Sequence, residues 1–277
     1  MWEYDDSCPH LFYNMDKIQL TIRGYDKIAR DWHGTRRHSW GEVDDIIQNE
    51  LEALSGRSSC GGREEELSLL DLGCGNGRLI NTLDKIQKNS NDKNLEKSIS
   101  DTSINNKILN IKYIGIDPSS ELIKICKDEY QNLYKEKINN IEIDFIVNDG
   151  LHIPCDDNAF DMVISMAVLH HVPTEYQDMW IQEVHRVMNK NKESKFIISV
   201  WARDDSNDNR STVHQRKSDN EMIMGFAQHK DIRYVYLFTE DELVNIFEKN
   251  NFKIIKIKTE QRPNSNNKNI ILVAQAM

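Results

Sequence analysis

The stretch that decides the fold is Glu66–Gly77, ELSLLDLGCGNG, in which an apolar run is followed by three glycines at every second position. A run of this kind ending at glycine is typical of a buried strand, and a helix is predicted from about Arg78. Glycines at a strand-to-helix turn let a ligand approach the backbone closely, because no Cβ atom stands in the way. The spacing G-x-G-x-G, with Asp71 two residues before it, indicates a nucleotide-type site. A structural turn and a G-x-G-x-x-G dinucleotide site are the alternatives.

Downstream of this turn, short apolar runs alternate with amphipathic stretches, which is typical of βα units. After Glu66–Leu72, the predicted strands are Ile111–Ile116, Ile141–Val147, Phe160–Met166 and Lys195–Ala202, followed by a hairpin of Phe252–Lys258 and Asn269–Ala276. A helix is expected over Ser120–Tyr130, and capping boxes are expected at Thr174 with Gln177 and at Thr239 with Glu242. The sequence therefore predicts an α/β fold with a seven-stranded, mostly parallel, Rossmann-like sheet that ends in a C-terminal antiparallel hairpin.

Three segments lie outside the predicted core. Residues 1–65 are expected to form an N-terminal helical extension, or lid, with a helix over Val43–Leu54. Residues 66–277 form the core domain with two surface insertions, at about 85–110 and 203–230. The first insertion is too polar to bury, and the second is expected to be a mobile loop. Within it, only Met222, Ile223, Met224 and Phe226 are apolar enough to pack locally.

The composition narrows the functional classes. The chain has 277 residues, 39% of them hydrophobic and 29% charged, and a formal net charge of −10. No apolar stretch approaches the ~20 residues of a membrane helix, and the N-terminus MWEYDDSCPH has acids where a signal peptide has basic residues. Five scattered cysteines without a C-x-x-C pair favour a reducing, cytoplasmic or nuclear location, and neither a disulfide framework nor a metal site is expected. Nucleic acid would need a local basic patch or a partner's help.

Two further acids follow predicted strands. Asp117 closes the run Tyr-Ile-Gly-Ile, and Asp149 follows Phe-Ile-Val-Asn. The carboxyl ends of parallel strands meet at one edge of a sheet, so both acids are expected beside the glycine turn. A carboxylate at Asp117 can accept both ribose hydroxyls of a nucleoside, and Asp149 can accept from an adenine amine. Taken singly, each is equally well explained as a helix cap or a turn residue.

This order of elements resembles the class I S-adenosylmethionine-dependent methyltransferases over Leu67 to Met277. The match sharpens in five motifs, which are Tyr25–Ala29 with Thr35-Arg36, DLGCGNGR, VNDGLHIPCDDNAFDMVISMAVLHHV, Val200–Ala202 and Arg233–Leu243. Together they resemble the eukaryotic tRNA wobble-uridine carboxymethyl methyltransferases. One departure is Tyr236, which stands where the family motif R-Y-Y-H has its histidine.

The resemblance implies an enzyme with S-adenosyl-L-methionine as cofactor, which esterifies the carboxylate of 5-carboxymethyluridine at wobble position 34. It also implies binding of the tRNA anticodon stem-loop and a heterodimer with a small zinc-binding activator subunit. A class I methyltransferase acting on a small molecule or on ribosomal RNA is an alternative. An inactive cofactor-binding scaffold subunit is another.

The resemblance assigns site residues by position. Cofactor-binding positions are Tyr25, Asp71, Gly73, Cys74, Gly75, Asn76, Asp117, Asp149, Gly150, Leu151 and Ser165. Arg36 is expected to clamp the substrate carboxylate, and His170 and His171 lie where the target approaches. Trp201 is expected to stack on the uracil, and Arg233 to meet phosphate or base. The alternatives are a surface arginine, structural histidines and a core tryptophan.

The implied reaction does not need acid–base catalysis by the protein. A carboxylate with a pKa near ~4 is already ionised at neutral pH, so no general base is required. Positioning the carboxylate then becomes the main task of the protein. For the tRNA backbone, basic residues occur at Arg36–His38 and along the tail, where Lys253, Lys256, Lys258, Arg262 and Lys268 face only Glu260. Lysines solvated on a hairpin are the alternative.

Overall fold

Seven strands form the central sheet of the computed structural model, which describes residues 17–36, 41, 43–55, 66–97, 110–134, 140–190, 192–203, 213–226, 229–261 and 267–277. They are β1 (Glu66–Leu72), β2 (Asn110–Asp117), β3 (Ile141–Val147), β4 (Met162–Met166), β5 (Lys195–Trp201), β9 (Phe252–Gln261) and β10 (Lys268–Ala276). Their order is β3-β2-β1-β4-β5-β10-β9. The first five are parallel, and β10 runs antiparallel to both of its neighbours. The predicted fold class is confirmed.

One predicted strand begins later than expected. Phe160 forms only an isolated bridge with Met188, and β4 starts at Met162. Between them, the carboxylate of Asp161 accepts hydrogen bonds from the backbone and the hydroxyl of Ser68, at 3.1 and 3.0 Å. These side-chain hydrogen bonds add to backbone hydrogen bonds from Asp161 N–H to the Ser68 carbonyl and from Lys195 N–H to the Asp161 carbonyl, at 2.9 and 3.1 Å.

Helices cover both faces of the sheet. On one face, an apolar cluster joins the strands to α2 (Asp44–Ser55), α3 (Leu79–Lys97) and α4 (Ser120–Tyr134). On the other, a second cluster includes α5 (Thr174–Val187) and α6 (Glu240–Lys249). With both faces covered, the parallel strands read as nearly continuous apolar runs. Among the described residues, no helix combines the length and the apolarity that a membrane crossing requires.

A second, three-stranded antiparallel sheet lies where the sequence suggested a loop at 203–230. Its strands are β6 (Val213–Arg216), β7 (Glu221–Phe226) and β8 (His229–Tyr236). Met222 and Met224 of β7 are buried in a cluster that also contacts Trp201, so the expected local packing of these apolar residues is confirmed. The expectation of a loop was wrong for β6 to β8, while residues 204–212 lie outside the described residues.

Helix α1 (Lys17–Gly34) bridges the two sheets. A hydrogen bond of 2.6 Å links Asp26 to the hydroxyl of Ser119 after β2, and the hydroxyl of Thr21 accepts from the backbone N–H of Tyr234 in β8. A Cβ atom on Gly24 would lie 2.6 Å from the carbonyl oxygen of Ile232, so only glycine permits this approach of helix and strand. The N-terminal extension is thus packed against the core through α1.

Helix boundaries deviate from the sequence expectations in two places. Helix α3 continues to Lys97, so part of the expected insertion at 85–110 is helical. The capping box at Thr239 and Glu242 is confirmed, but the one expected at Thr174 and Gln177 is wrong. Helix α5 begins after Pro173, and the Gln177 amide instead donates to the carbonyl oxygen of Val172 at 3.1 Å.

Candidate functional site

A cavity of about 760 Å³ lies at the carboxyl ends of the parallel strands, between the central sheet, α1 and the small sheet. It is lined by most of the residues that the sequence singled out: Tyr25, Arg36, Asp71, Gly73, Cys74, Gly75, Asp117, His170, His171, Trp201 and Arg233. We call the part beside the glycine turn the donor half, and the part beside Trp201, Phe226 and Arg233 the acceptor half. Topology places both halves at one edge of the central sheet.

The glycine turn needs its glycines. Gly73 and Gly75 have positive φ values of 79° and 57°, which residues with a Cβ rarely adopt. A Cβ atom would lie 2.2 Å from Val168 at Gly73 and 2.9 Å from the ring of Trp32 at Gly75. Val168 and Trp32 thus occupy the space that a Cβ atom would need, while Gly73 and Gly75 themselves line the donor half.

Two buried acids flank this turn. Asp117 accepts hydrogen bonds of 2.9 Å from the backbone N–H groups of Gly75 and Ser119, and Asp71 accepts one of 2.7 Å from the hydroxyl of Tyr113. Burial raises the pKa of Asp117 to about 6, although its two amide hydrogen bonds oppose the rise. Burial also raises the pKa of Asp71 to about 7, opposed by Tyr113. The donor half thus holds acceptor groups that a cationic or hydroxyl-bearing ligand would stabilise in the ionised form.

Five predicted cofactor-binding residues do not line the cavity formed by the described residues: Asn76, Asp149, Gly150, Leu151 and Ser165. The Asp149 carboxylate is largely exposed and accepts from His152 Nδ1 and the backbone N–H of Leu151, at 2.7 and 2.8 Å. Burial opposes its ionisation, but these hydrogen bonds outweigh burial and lower its pKa. Contact with an adenine amine stays a prediction for Asp149.

Asn76 and Ser165 support the turn from behind. The Asn76 amide donates to the carbonyl oxygen of Arg36 at 2.8 Å, which ties the end of α1 to the glycine turn. The hydroxyl of Ser165 donates to the carbonyl oxygen of Leu72 at 2.8 Å, which joins β4 to the end of β1. Both side chains therefore position backbone that faces the cavity.

Arg233 dominates the acceptor half. Its guanidinium lies 4.0 Å from the ring centroid of Phe226, 5.4 Å from that of Trp201 and 6.0 Å from that of Tyr25. Its Nε atom is buried without a hydrogen-bond partner, and no acid among the described residues forms a salt bridge with it. Burial lowers its pKa, and the nearby charge of Arg36 adds to this effect. Arg233 is partly buried and has no anion beside it among the described residues, so the site favours an anionic ligand here.

Arg36 lies nearer the glycine turn. Its guanidinium is 5.5 Å from the ring centroid of Trp32, the residue that packs against Gly75, and its Nη1 donates to the hydroxyl of Thr35. Arg78 approaches the same ring at 5.9 Å. Arg36 thus lines the cavity as expected, on the donor side of Arg233.

The two histidines do different things. His171 lies between α1 and β8, with Nδ1 2.7 Å from the carbonyl oxygen of Tyr234 and Nε2 3.0 Å from the hydroxyl of Tyr25. A carbonyl only accepts, so Nδ1 carries the hydrogen and Nε2 accepts from Tyr25. Burial and the charge of Arg233 lower the pKa of His171 to about 3, so it is neutral at physiological pH. His171 therefore holds Tyr25 in place.

His170 stacks on Trp201, with ring centroids 4.7 Å apart and an angle of 22° between the planes. One face of the indole is thus covered by protein, which restricts the predicted stacking of a uracil to the rest of the ring. Tyr236 lies outside the cavity lining of the described residues. Its hydroxyl donates to Glu242 at 3.0 Å and accepts from Asn220, so it joins the small sheet to α6.

The basic tail divides along the hairpin. Lys268 pairs with Gln261 at the cavity end of β10, whereas Lys253 pairs with Gln275 at the opposite end. Lys258 forms an ion pair with Glu260. Only the cavity end of this predicted tRNA contact is therefore next to the site. Arg37, His38 and Arg262 lie outside the described residues.

Trp32, Arg78 and Asn269 line the cavity but were missed from sequence. For Trp32 a signal existed, because Thr21, Tyr25, Ile28 and Trp32 follow the three- and four-residue spacing of one helix face. Asn269 gave none, since an asparagine at a strand start is a common turn residue.

Residues 39–257 match the family described as a methyltransferase domain. A tRNA (carboxymethyluridine(34)-5-O)-methyltransferase of Schizosaccharomyces pombe is 30% identical over 187 residues, which cover 67% of this chain. The enzyme of the same name from Arabidopsis thaliana is 30% identical over 182 residues, or 65% of this chain. The matched segments span 59% and 32% of these two relatives.

Solved structures share the fold. A protein of Methanosarcina mazei described as an S-adenosylmethionine-dependent methyltransferase superposes with a TM-score of 0.59 at 19% identity. The superposition covers 78% of this chain and 94% of that one.

Proposed function

This chain belongs to the methyltransferase-domain family, and on that premise we propose that it esterifies the carboxylate of 5-carboxymethyluridine at wobble position 34 of tRNA. S-adenosylmethionine is the cofactor of its fold class, and it supplies an electrophilic methyl group on a sulfonium. The donor half fits this cofactor, since bare glycine backbone and the acids Asp71 and Asp117 line it. The Schizosaccharomyces pombe and Arabidopsis thaliana relatives are both named as tRNA (carboxymethyluridine(34)-5-O)-methyltransferases, which supports the tRNA substrate.

The observation that carries the proposal is the partly buried guanidinium of Arg233, whose Nε atom is buried without a hydrogen-bond partner and which has no acidic partner among the described residues. A carboxylate is the anion that a planar guanidinium binds best, through two parallel hydrogen bonds. The rings of Phe226, Trp201 and Tyr25 around it offer flat apolar surface for a nucleobase. In this proposal Arg233 binds the substrate carboxylate, the role that the sequence analysis gave to Arg36. Arg36 instead contributes to cofactor binding in the donor half.

The proposed reaction needs no general base from the acceptor half. The carboxylate is already ionised, and His171 is neutral with both ring nitrogens engaged by the Tyr234 carbonyl and the Tyr25 hydroxyl. The contribution of the protein is to orient the nucleophile and to exclude water. A single clamp suits this task, because the carboxylate loses charge as the ester forms and a stronger clamp would favour the ground state.

Kinetics with two matched variants test the clamp. Arg233→Met should raise KM for an anticodon stem-loop carrying 5-carboxymethyluridine by about 10- to 100-fold, the loss expected for hydrogen bonds to a charged group. The change in kcat should be smaller, because the interaction is weaker in the transition state. Arg36→Met should mainly weaken cofactor binding in calorimetry. An unchanged KM in Arg233→Met, or a stem-loop with unmodified uridine methylated equally well, would contradict the proposal.

We also propose a cytoplasmic location and a zinc-binding activator subunit. The location is supported by the family relation alone. For the subunit, β3 is the outer strand of the sheet among the described residues, and its last residue, Val147, is 47% exposed. Backbone groups along such an edge are open to pairing with another chain. Co-purification with a zinc-binding partner should be lost in Val147→Pro, whereas Ile255→Pro on the opposite edge strand should retain it.

A further inference from the structure

Several buried polar atoms near Trp201 have no hydrogen-bond partner among the described residues. They include Ser199 Oγ, Asn269 Oδ1 and Arg233 Nε. Ser199 lies two residues before Trp201 on β5, so both side chains are on one face of the sheet, and Asn269 is the register partner of Trp201 across β10. Buried polar groups are nearly always paired in native proteins, so such a cluster calls for a reason. Asn269 and Arg233 line the cavity, which points to ligand groups in the acceptor half as the missing partners of these two residues.

Asn269 lines the cavity from β10 of the central sheet, whereas Arg233 lines it from β8 of the small sheet. It is only 5% exposed, yet it belongs to the cavity lining together with Trp201. Residues directly opposite on antiparallel strands have Cβ atoms about 4.5–5.5 Å apart, so its amide stands next to the indole. The amide presents a carbonyl oxygen and an N–H group side by side, one acceptor and one donor.

We propose that Asn269 is a specificity-determining residue that binds the imide edge of the target uracil. This inference rests on the proposed function. Uracil offers an N3–H donor beside the O4 acceptor, and the asparagine amide provides the complementary acceptor and donor. On the base, O4 lies between N3 and the C5 substituent. In the protein, Asn269 and Arg233 are both neighbours of Trp201. The same base can therefore place its N3–H edge at Asn269 and its carboxylate at Arg233.

The test combines two variants with two RNAs. The variants are Asn269→Leu and, as a matched control on the same strand, Gln275→Leu, whose side chain accepts from Lys195 Nζ at 3.3 Å away from the cavity. The RNAs are anticodon stem-loops with 5-carboxymethyluridine and with its N3-methyl derivative. The wild-type protein should lose about 10- to 100-fold in kcat/KM on the N3-methyl substrate, the effect of one base-edge contact. Asn269→Leu should be equally poor on both RNAs, and Gln275→Leu should behave as wild type.

Thermal unfolding supplies a readout that a structural asparagine would not give. Asn269→Leu removes an unpaired buried amide, so its Tm should equal or exceed that of the wild type, whereas Gln275→Leu should lower Tm. Full discrimination retained in Asn269→Leu, or a lower Tm with unchanged activity, would overturn the inference and indicate a structural or water-bound amide. Methylation of neither RNA by a wild-type protein that binds S-adenosylhomocysteine would instead refute the proposed function.

Discussion

The carboxylate of Asp117 should make cofactor affinity depend on pH. Burial raises its pKa to about 6, and two of its lone pairs are already used by the amides of Gly75 and Ser119. An ionised carboxylate has about four acceptor positions, so two remain for the ribose hydroxyls. Protonation replaces an acceptor position with a donor. The ligand therefore favours ionised Asp117, and affinity should rise as the pH rises through about 6.

The magnitude follows from the pKa. One pH unit below it, at pH 5, only about one tenth of Asp117 is ionised, so Kd should be about tenfold higher than at pH 7.5. S-adenosylhomocysteine is the appropriate probe, because it lacks the sulfonium charge of the cofactor. Asp71 has a pKa raised by burial to about 7 and lines the same cavity, so its titration adds a second step, which Asp71→Asn removes.

Isothermal titration calorimetry at pH 5, 6 and 7.5 measures the effect. Asp117→Asn should bind about 100-fold more weakly at pH 7.5, the loss expected for hydrogen bonds to a charged group, and the change in its Kd centred near pH 6 should disappear. Asp71→Asn, also a buried acid, should keep the pH dependence. A wild-type Kd that is equal at pH 5 and 7.5, or wild-type affinity in Asp117→Asn, would refute the ribose assignment.

The glycine turn, α5 and His171 yield the remaining predictions. Gly75→Ala should weaken cofactor binding at least tenfold in calorimetry, because the new Cβ would lie 2.9 Å from Trp32 at a positive φ; wild-type affinity would show that the turn is not the cradle. Arg186→Met should lower unfolding free energy by about 1–3 kcal/mol in urea, because Arg186 donates to Glu183 and to two carbonyl groups of residues 153–155; an unchanged midpoint would contradict this. Because the pKa of His171 is about 3, titration of this histidine should not change kcat between pH 6 and 9. A limb lost in His171→Gln would refute its neutral, positioning role.

The parallel strands were predictable for two reasons. Strands buried on both faces, such as β4 and β5, are nearly continuous apolar runs, and the edge strand β3 alternates apolar and polar residues. Predicted strands at Glu66–Leu72 and Ile141–Val147 match the structure residue for residue. The small sheet was not predictable in the same way. Strand β6 is a mostly exposed edge strand, so its sequence lacks an apolar pattern. Strand β7 has an apolar run, but this run alone predicted only a loop segment with local packing.

The site was predictable where the backbone itself forms it, and less so where side chains choose between partners. The glycine turn and Asp117 follow from strand ends, which topology brings together. Asp149 also ends a strand, but its carboxylate pairs with His152 three residues on, a local competition that strand order does not reveal. The unpaired state of Arg233 depends on which acids stay away from it, and no local pattern encodes that.

The most direct test of the central claim is the chemistry of the product. The protein, with its partner subunit if required, is incubated with methyl-labelled S-adenosylmethionine and tRNA whose wobble uridines carry free carboxymethyl groups, and the label is followed through mild alkali. Label in the wobble nucleoside that is released as methanol by alkali is the predicted result, because a carboxylate ester hydrolyses there. Label that survives alkali, or that enters other nucleotides, would contradict the account.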